Sequence, residues 1–308
     1  MKAKIPAPAK VNLFLETGIP EGGFHPLVSL VDIVDLCDTI HICKSVENSV
    51  SFLPDHGIPD DNTVTKAVSL MRQRYGLEGG FGIRVTKKIP PGSGLGGGSS
   101  DAACVLKALI PFCRNKPEGR DFEKSSASIG KDIPLFLAGR RCMVEGFGEK
   151  VSFVKESKPL SYLIMVPPFQ VSTRVVYENL DRMGISGDLT RAAGKIKIIL
   201  ASVESSDIPE IERNIENRLA CSYFDLYPQA REVKKHVEDR IGKKVFVSGS
   251  GGSLFAVFAT MKEAEANAGI AGMAGWRSFV VSSKKTSWED PWKSLKPGFL
   301  LSEDLTAD

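Results

Sequence analysis

Between Ile89 and Asp101 the chain reads Pro-Pro-Gly-Ser-Gly-Leu-Gly-Gly-Gly-Ser-Ser, with five glycines in the seven residues from Gly92 to Gly98. So many glycines cannot form a stable helix or strand, because each loses backbone freedom on folding and offers no side chain to pack. The segment that follows, Asp101-Ala-Ala-Cys-Val-Leu-Lys-Ala-Leu-Ile, has the composition of a helix over about 100–112. Bare N–H groups leading into a helix N-terminus attract anions, since the donors are unsatisfied and the dipole favours negative charge. The run therefore predicts a cradle for a polyphosphate. A flexible linker would not place a leucine among the glycines or run straight into an apolar helix.

Three kinds of phosphate loop compete. The Walker pattern needs a lysine after its last glycine, and Gly98 stands there instead. The dinucleotide pattern is met by Gly92, Gly94 and Gly97, but any cluster this dense meets it. The strand read before the loop, 81–89, alternates apolar and polar residues like a half-exposed strand. A dinucleotide fold expects a buried parallel strand there. The third reading is the P-x-x-x-G-L-G-x-S-S loop. Gly94-Leu-Gly-Gly-Gly-Ser-Ser-Asp-Ala-Ala resembles that motif of the kinases of galactose, homoserine, mevalonate and phosphomevalonate.

The chain's 308 residues allow two domains. A net charge of +3 is too small to make nucleic acid the main partner. Six cysteines without a C-x-x-C pair, several in apolar runs, predict reduced core thiols and a cytoplasmic setting. Four histidines form no metal-spaced array, so no protein-held metal is expected. No window reaches the roughly 18 apolar residues of a spanning helix, and no apolar signal core opens the chain, so no membrane role is expected.

Periodicity predicts strands at 11–16, 27–34 and 39–44, with a break at 35–38, and an amphipathic helix over 62–75 with Asn62 as N-cap. A helix over 121–129 ends at Gly130. The polar stretch 155–160 suggests a boundary, giving an ATP-binding domain 1–156, a second domain 157–284 and a tail 285–308 that carries Trp288, Trp292 and Pro297. The second half reads as a strand from 162, helices at 173–182, 189–203 and 228–241, paired strands at 244–248 and 253–258, a helix at 262–273 and a strand at 277–283. Strands and helices mix without strict alternation, which is the α+β class.

Phosphoryl transfer needs a held nucleotide, a residue to take the acceptor's proton and positive charge near the moving group. Lys10 lies at the mouth of the first strand, in Pro8-Ala-Lys-Val-Asn12. Asp132 lies between a glycine turn and the apolar run Ile-Pro-Leu-Phe. Local sequence fits either an N-cap or a half-buried functional carboxylate at Asp132. Tyr177 fits a core residue on a helix or an exposed ring, and His25 alone fits a structural histidine.

The resemblance extends over about 5–283 and favours one branch of the superfamily, the kinases of 4-diphosphocytidyl-2-C-methyl-D-erythritol. Pro8-Ala-Lys-Val-Asn-Leu-Phe-Leu15 resembles its P-A-K-x-N-L-x-L element, a Lys–Asn pairing that homoserine and mevalonate kinases normally lack. Gly130-Lys-Asp-Ile-Pro resembles its G-x-D-[VI]-P, Ser248-Gly-Ser-Gly-Gly-Ser-Leu-Phe its third signature, and Ser172-Thr-Arg-Val-Val-Tyr177 its S-T-x-x-[VI]-[YF]. Gly22-Gly-Phe-His25 resembles D-G-Y-H, with Phe24 in place of the usual tyrosine. Gly146-Phe-Gly-Glu149 resembles a structural turn, and Asn214-Ile-Glu216 an N-D-[LF]-E motif without its first acid.

The resemblance implies an N-terminal ribosomal S5 domain 2-like domain and a C-terminal ferredoxin-like domain with the site between them. It implies ATP and Mg²⁺ as cofactors, a small-molecule alcohol as partner, and a monomer or homodimer. Asp132 would be the base and Lys10 its charged neighbour. Pro90, Pro91, Gly92, Ser93, Gly94, Leu95, Gly96, Gly97, Gly98, Ser99 and Ser100 would hold ATP phosphates, with Asn62, Lys87 and Lys88 bordering the adenine. Asn12, Phe24, His25, Ser172, Thr173, Tyr177, Gly249 and Gly251 would hold the acceptor, with Phe24 and Tyr177 sandwiching cytosine and His25 reading its edge. Another kinase of the superfamily, or a nucleotide-binding module without catalysis, is the alternative.

Overall fold

The structure is a computed structural model that describes residues 2–154, 158–272 and 275–284. The expected domain boundary at 156/157 and the tail 285–308 lie outside the described residues. Strands β1 (Lys2–Thr17), β2 (Leu27–Ser45) and β3 (Ser49–Leu53) come first, followed by helix α1 (Thr63–Tyr75), strand β4 (Gly80–Thr86) and helix α2 (Gly97–Leu109). Helices α3 (Gly119–Ala127) and α4 (Ile133–Ala138) and strands β5 (Cys142–Gly146) and β6 (Lys150–Phe153) complete the first half. The second half runs β7 (Ser161–Val166), α5 (Thr173–Arg182), α6 (Ala192–Ser205), α7 (Ile208–Asn214), β8 (Glu216–Asn217), α8 (Ala220–Leu226) and α9 (Pro228–Ile241). It ends with β9 (Phe246–Val247), β10 (Leu254–Phe258), α10 (Met261–Ala266) and β11 (Arg277–Ser282). The α+β expectation holds.

One sheet has the order β3-β4-β2-β1-β8, with β5 and β6 attached to β2; the other has the order β11-β7-β10-β9. The expected break at 35–38 is instead continuous strand. Pro8 pairs with Cys37 and Ala9 with Val34, so Asp35 and Leu36 form a bulge inside β2. The acids in this region are accommodated by specific partners, Asp35 accepting from the backbone N–H of Ser282 and Asp38 from those of Lys88 and Ile89. The same contacts end β4 at Thr86 rather than at the expected 89. Lys87 N–H turns aside to Leu53 O, and the next two N–H groups go to Asp38.

Helix α1 starts where its N-cap predicts, with Asn62 Oδ1 accepting from Val64 and Thr65 N–H. Helix α2 begins three residues before the expected start and stops at Leu109, ahead of Pro111, which has no N–H to continue the ladder. The expected helix 262–273 is broken after Ala266 into a 3₁₀ turn over Ala268–Gly272, where Gly269 and Gly272 weaken the α-helix. The expected strand 244–248 shortens to Phe246–Val247.

Strand β1 decides the position of the site. Its edge away from β2 pairs with β8 only at Phe14 and Leu15. Pro6 and Pro8 sit in this strand without costing a ladder bond, since much of that edge has no strand partner. Further along the same edge, Lys10 N–H donates to Leu95 O of the glycine run, and Asn12 N–H to Ser248 Oγ. The two halves also share an apolar core in which Ala9, Val11, Leu13 and Val34 pack with Ile164, Ile199, Phe255 and Val257.

Candidate active site

The glycine run forms a loop that ends on α2. Gly96 takes the left-handed conformation at φ 76°, and the first intrahelical bond runs from Ser100 N–H to Gly96 O. The N–H groups of Gly97, Gly98 and Ser99 therefore have no partner within the helix, and no side chain caps them. These residues line a cavity of about 450 Å³ together with Lys10, Asn12, Asn62, Lys87, Pro90 to Gly94, Asp101, Asp132, Thr173, Tyr177 and Gly249.

The loop is clamped from the second half of the chain. Ser253 N–H donates to Ser93 O, and Val171 N–H to Gly92 O. A Cβ on Gly94 would lie 2.4 Å from Gly251 O, and one on Gly252 2.9 Å from Gly92 O. Two backbones thus cross where side chains cannot fit. Asn217 holds the opposing turn by donating from Nδ2 to the carbonyls of Val247 and Gly249.

Lys10 and Asp132 meet at the cavity wall. Lys10 Nζ donates to Asn12 Oδ1 at 2.6 Å and lies 3.9 Å from Asp132 Oδ2. The lysine side chain is 6% exposed, and the carboxylate, at 43%, is open to the cavity. Burial lowers the Lys10 pKa, and the charge of Asp132 only partly opposes this. Asn12 is fixed in turn by a chain of donations from its Nδ2 to Ser29 Oγ and from that hydroxyl to Phe14 O. Asp132 stands at the N-cap position of α4 but makes no side-chain capping bond, so its carboxylate is not consumed by the helix.

The expected acceptor residues are brought near one another in a different arrangement. The ring of His25 packs on that of Tyr177 at 5.0 Å, and its Nε2 lies 2.8 Å from Asp181 Oδ1. Thr173 and Ser250 share a hydroxyl hydrogen bond of 2.7 Å. Phe24 is 59% exposed and meets Phe147 edge-on at 6.5 Å, with Lys131 Nζ 5.3 Å from its ring centre. Phe147, read from sequence as part of a structural turn, lines the cavity, whereas Phe24, His25, Ser172 and Gly251 are not among its lining residues. Phe147 and Lys131 are thus candidate site residues that local sequence did not single out. An aromatic between two glycines was the available signal for the first. Leu95 and Ser100 are buried under the loop. Lys87, expected beside the adenine, has its ammonium between Asp38 and Asp101. Asn62 lines the cavity while capping α1, and Lys88 donates its backbone N–H to Asp38. Asn214 bonds to Glu210 and Glu216 pairs with Lys195, so neither of these two is committed to the cavity. All six cysteines are free thiols.

A glycine loop ending on a helix N-terminus, a lysine–carboxylate pair beside it and a clamp between two α+β halves fit the class of small-molecule kinases. The N-terminal domain of the GHMP kinases matches residues 62–140 and their C-terminal domain residues 199–271. The structure is similar to a homoserine kinase from Cytophaga hutchinsonii, with a TM-score of 0.69 and 23% identity over 92% of this chain and 95% of that one. It is also similar to a crystal structure of 4-(cytidine 5'-diphospho)-2C-methyl-D-erythritol kinase, with a TM-score of 0.75 and 29% identity over 91% and 98%. In sequence it is 33% identical to the 4-diphosphocytidyl-2-C-methyl-D-erythritol kinase of Caldicellulosiruptor bescii, covering 83% of this chain and 89% of the relative. It is 34% identical to that of Clostridium kluyveri, covering 85% and 92%. The chain belongs to the 4-diphosphocytidyl-2-C-methyl-D-erythritol kinase family of GHMP kinases.

Proposed function

We propose that the protein transfers the γ-phosphoryl group of ATP to the 2-hydroxyl of 4-diphosphocytidyl-2-C-methyl-D-erythritol, a step of the methylerythritol phosphate route to isoprenoid precursors. The observation that carries this reading is the buried Lys10 held 3.9 Å from the exposed carboxylate of Asp132, on the wall of the cavity that the glycine loop lines. Asp132 accepts the hydroxyl proton as the new O–P bond forms and the bond between the β and γ phosphates breaks, releasing ADP. Lys10 opposes charge on the transferring group. The N–H groups at the start of α2 hold phosphate oxygens. Among the described residues no group of three or more acidic, histidine or cysteine side chains gathers to hold a metal. Mg²⁺ bound to the ATP phosphates would supply the charge neutralisation that phosphoryl transfer needs.

The rings of Tyr177, Phe147 and Phe24 are the candidate platform for the cytosine, since stacking needs only a π face. A homoserine or mevalonate acceptor has no base to use it. We place the division between the two functional halves at 156/157 and the protein in a reducing cytoplasm, in keeping with its six free thiols. No helix among the described residues is long and apolar enough to cross a membrane.

The test is ATP consumption with the cytidine-linked alcohol, homoserine and mevalonate in parallel. Turnover of the first alone is expected. Turnover of either of the others without it overturns the substrate assignment. Asp132→Asn is expected to lower kcat by about 10²–10⁴-fold while ATP binding persists, the range for a positioned general base. Near-normal turnover would reduce Asp132 to a helix-start residue.

A further inference from the structure

Beneath the glycine loop lies a charged cluster that the proposed chemistry does not use. Lys87 Nζ donates to Asp38 and, at 2.7 Å, to Asp101 Oδ2, and the three side chains are 4%, 0% and 1% exposed. The three residues come from three elements. Asp38 lies in the middle of β2, Lys87 just after β4, and Asp101 in the first turns of α2. Asp38 also takes the backbone N–H groups of Lys88 at 2.5 Å and Ile89 at 2.8 Å, the last two residues before Pro90. The loop therefore leaves from a backbone fixed by Asp38 and arrives at a helix fixed by Asp101, with one ammonium joining the two carboxylates.

The join is close as well as charged. A Cβ on Gly97, the first residue of α2, would lie 3.0 Å from Ile89 Cγ2 and 3.2 Å from Lys87 Nζ. The start of the phosphate-facing helix thus rests directly on residues 87–89. Stability does not explain the cluster. A buried ion pair exchanged for apolar groups of similar volume is often neutral or stabilising, because desolvation offsets the attraction. Here the cost is visible, since Asp101 Oδ1 has no hydrogen-bond partner and burial raises the Asp101 carboxyl to about 7.

We infer that Asp38, Lys87 and Asp101 form a positioning triad that ties together the two ends of the phosphate loop and so sets where the first N–H groups of α2 point. Lys87 acts on the nucleotide through this frame rather than by touching the adenine. The inference rests on reading the loop as the ATP site. Without the tie, Gly92 to Gly98 gain freedom that ATP binding must remove, so the loss falls on ATP affinity.

The apolar double variant Lys87→Met with Asp101→Leu tests this, because Asp38 keeps its two backbone donors. Its affinity for ATP, measured by calorimetry, and its KM for ATP are expected to weaken about tenfold or more with the KM of the acceptor alcohol unchanged, while Tm falls because Asp38 stays buried without its ammonium. Asp101→Asn, which still offers Lys87 an oxygen, is expected to restore ATP affinity to within about twofold of the parent. A folded double variant with parental ATP affinity overturns the triad's role, and so does an equal weakening of both substrates. If the double variant does not fold, Asp101→Leu alone carries the same expectation and the same refutation. Failure of the unaltered protein to bind ATP would instead refute the assignment of the loop.

Discussion

Gly94→Ala isolates the contact between the loop and its clamp. Gly94 adopts φ +75°, and an added Cβ would fall 2.4 Å from Gly251 O and 2.8 Å from Ser248 O. Both oxygens are backbone, so neither can rotate away. Restoring an ordinary contact of at least 3.4 Å requires the two chain segments to part by about 1 Å. Two costs follow. The left-handed conformation costs a residue with a Cβ about 1–2 kcal/mol. The displacement moves a phosphate-holding segment relative to Lys10 and Asp132, and a misplacement of about 1 Å can reduce turnover about 100-fold, or about 2.7 kcal/mol. Gly79→Ala is the control. It has φ +79° with nothing within 4 Å of the added Cβ, so it bears the conformational cost alone. Gly79→Ala should lose a few degrees of Tm in thermal unfolding, and Gly94→Ala more, because it also forces the two backbones apart. In a coupled ADP-release assay only Gly94→Ala should lose kcat/KM by about 100-fold. A Gly94→Ala enzyme as active as the Gly79→Ala control would refute the view that crossing backbones fix the phosphate loop.

Phe147→Ala should raise the acceptor KM about tenfold and leave the ATP KM alone, since losing one stacking face costs about 1–3 kcal/mol; an unchanged acceptor KM in steady-state kinetics removes Phe147 from the platform. Burial lowers the Lys10 pKa more than Asp132 raises it, so the ammonium is lost on raising the pH earlier than for a solvated lysine. The alkaline fall in kcat/KM, which reports the free enzyme, should therefore lie below the ordinary lysine value of about 10.4, and a limb at or above that value contradicts a role for the Lys10 charge. Arg141→Met leaves Asp32 buried without the guanidinium that lies 2.6 Å from its Oδ2, and should cost about 3–5 kcal/mol in urea unfolding. Tyr162→Phe, which removes only the hydroxyl bond to the same oxygen, should cost about 1.5–3 kcal/mol. Equal losses would show that the charge pair is not what that site depends on.

Local sequence determined the pieces whose physics is local. The loop ending on a helix was legible because five clustered glycines ahead of an apolar run leave N–H groups exposed whatever surrounds them. The α1 cap at Asn62 was legible because its partners, Val64 and Thr65, lie two and three residues on. The Lys–Asn and Gly-x-Asp-Ile-Pro strings marked Lys10 and Asp132 as candidates, though only the fold brings them within 3.9 Å of each other at the cavity wall. Tertiary contact decided the rest. The acids at 35–38 looked like a strand break because an acid in a strand is costly alone, and they are carried by donors such as Lys88 N–H, 50 residues away. The ammonium of Lys87 is held by Asp38, 49 residues distant, a partner that the local sequence does not reveal. Phe147 looked like a turn residue because nothing beside it in sequence reveals that its turn opens onto the cavity. A partner far along the chain leaves no periodicity behind, so sequence marked which residues were chemically unusual and the fold decided which of them meet.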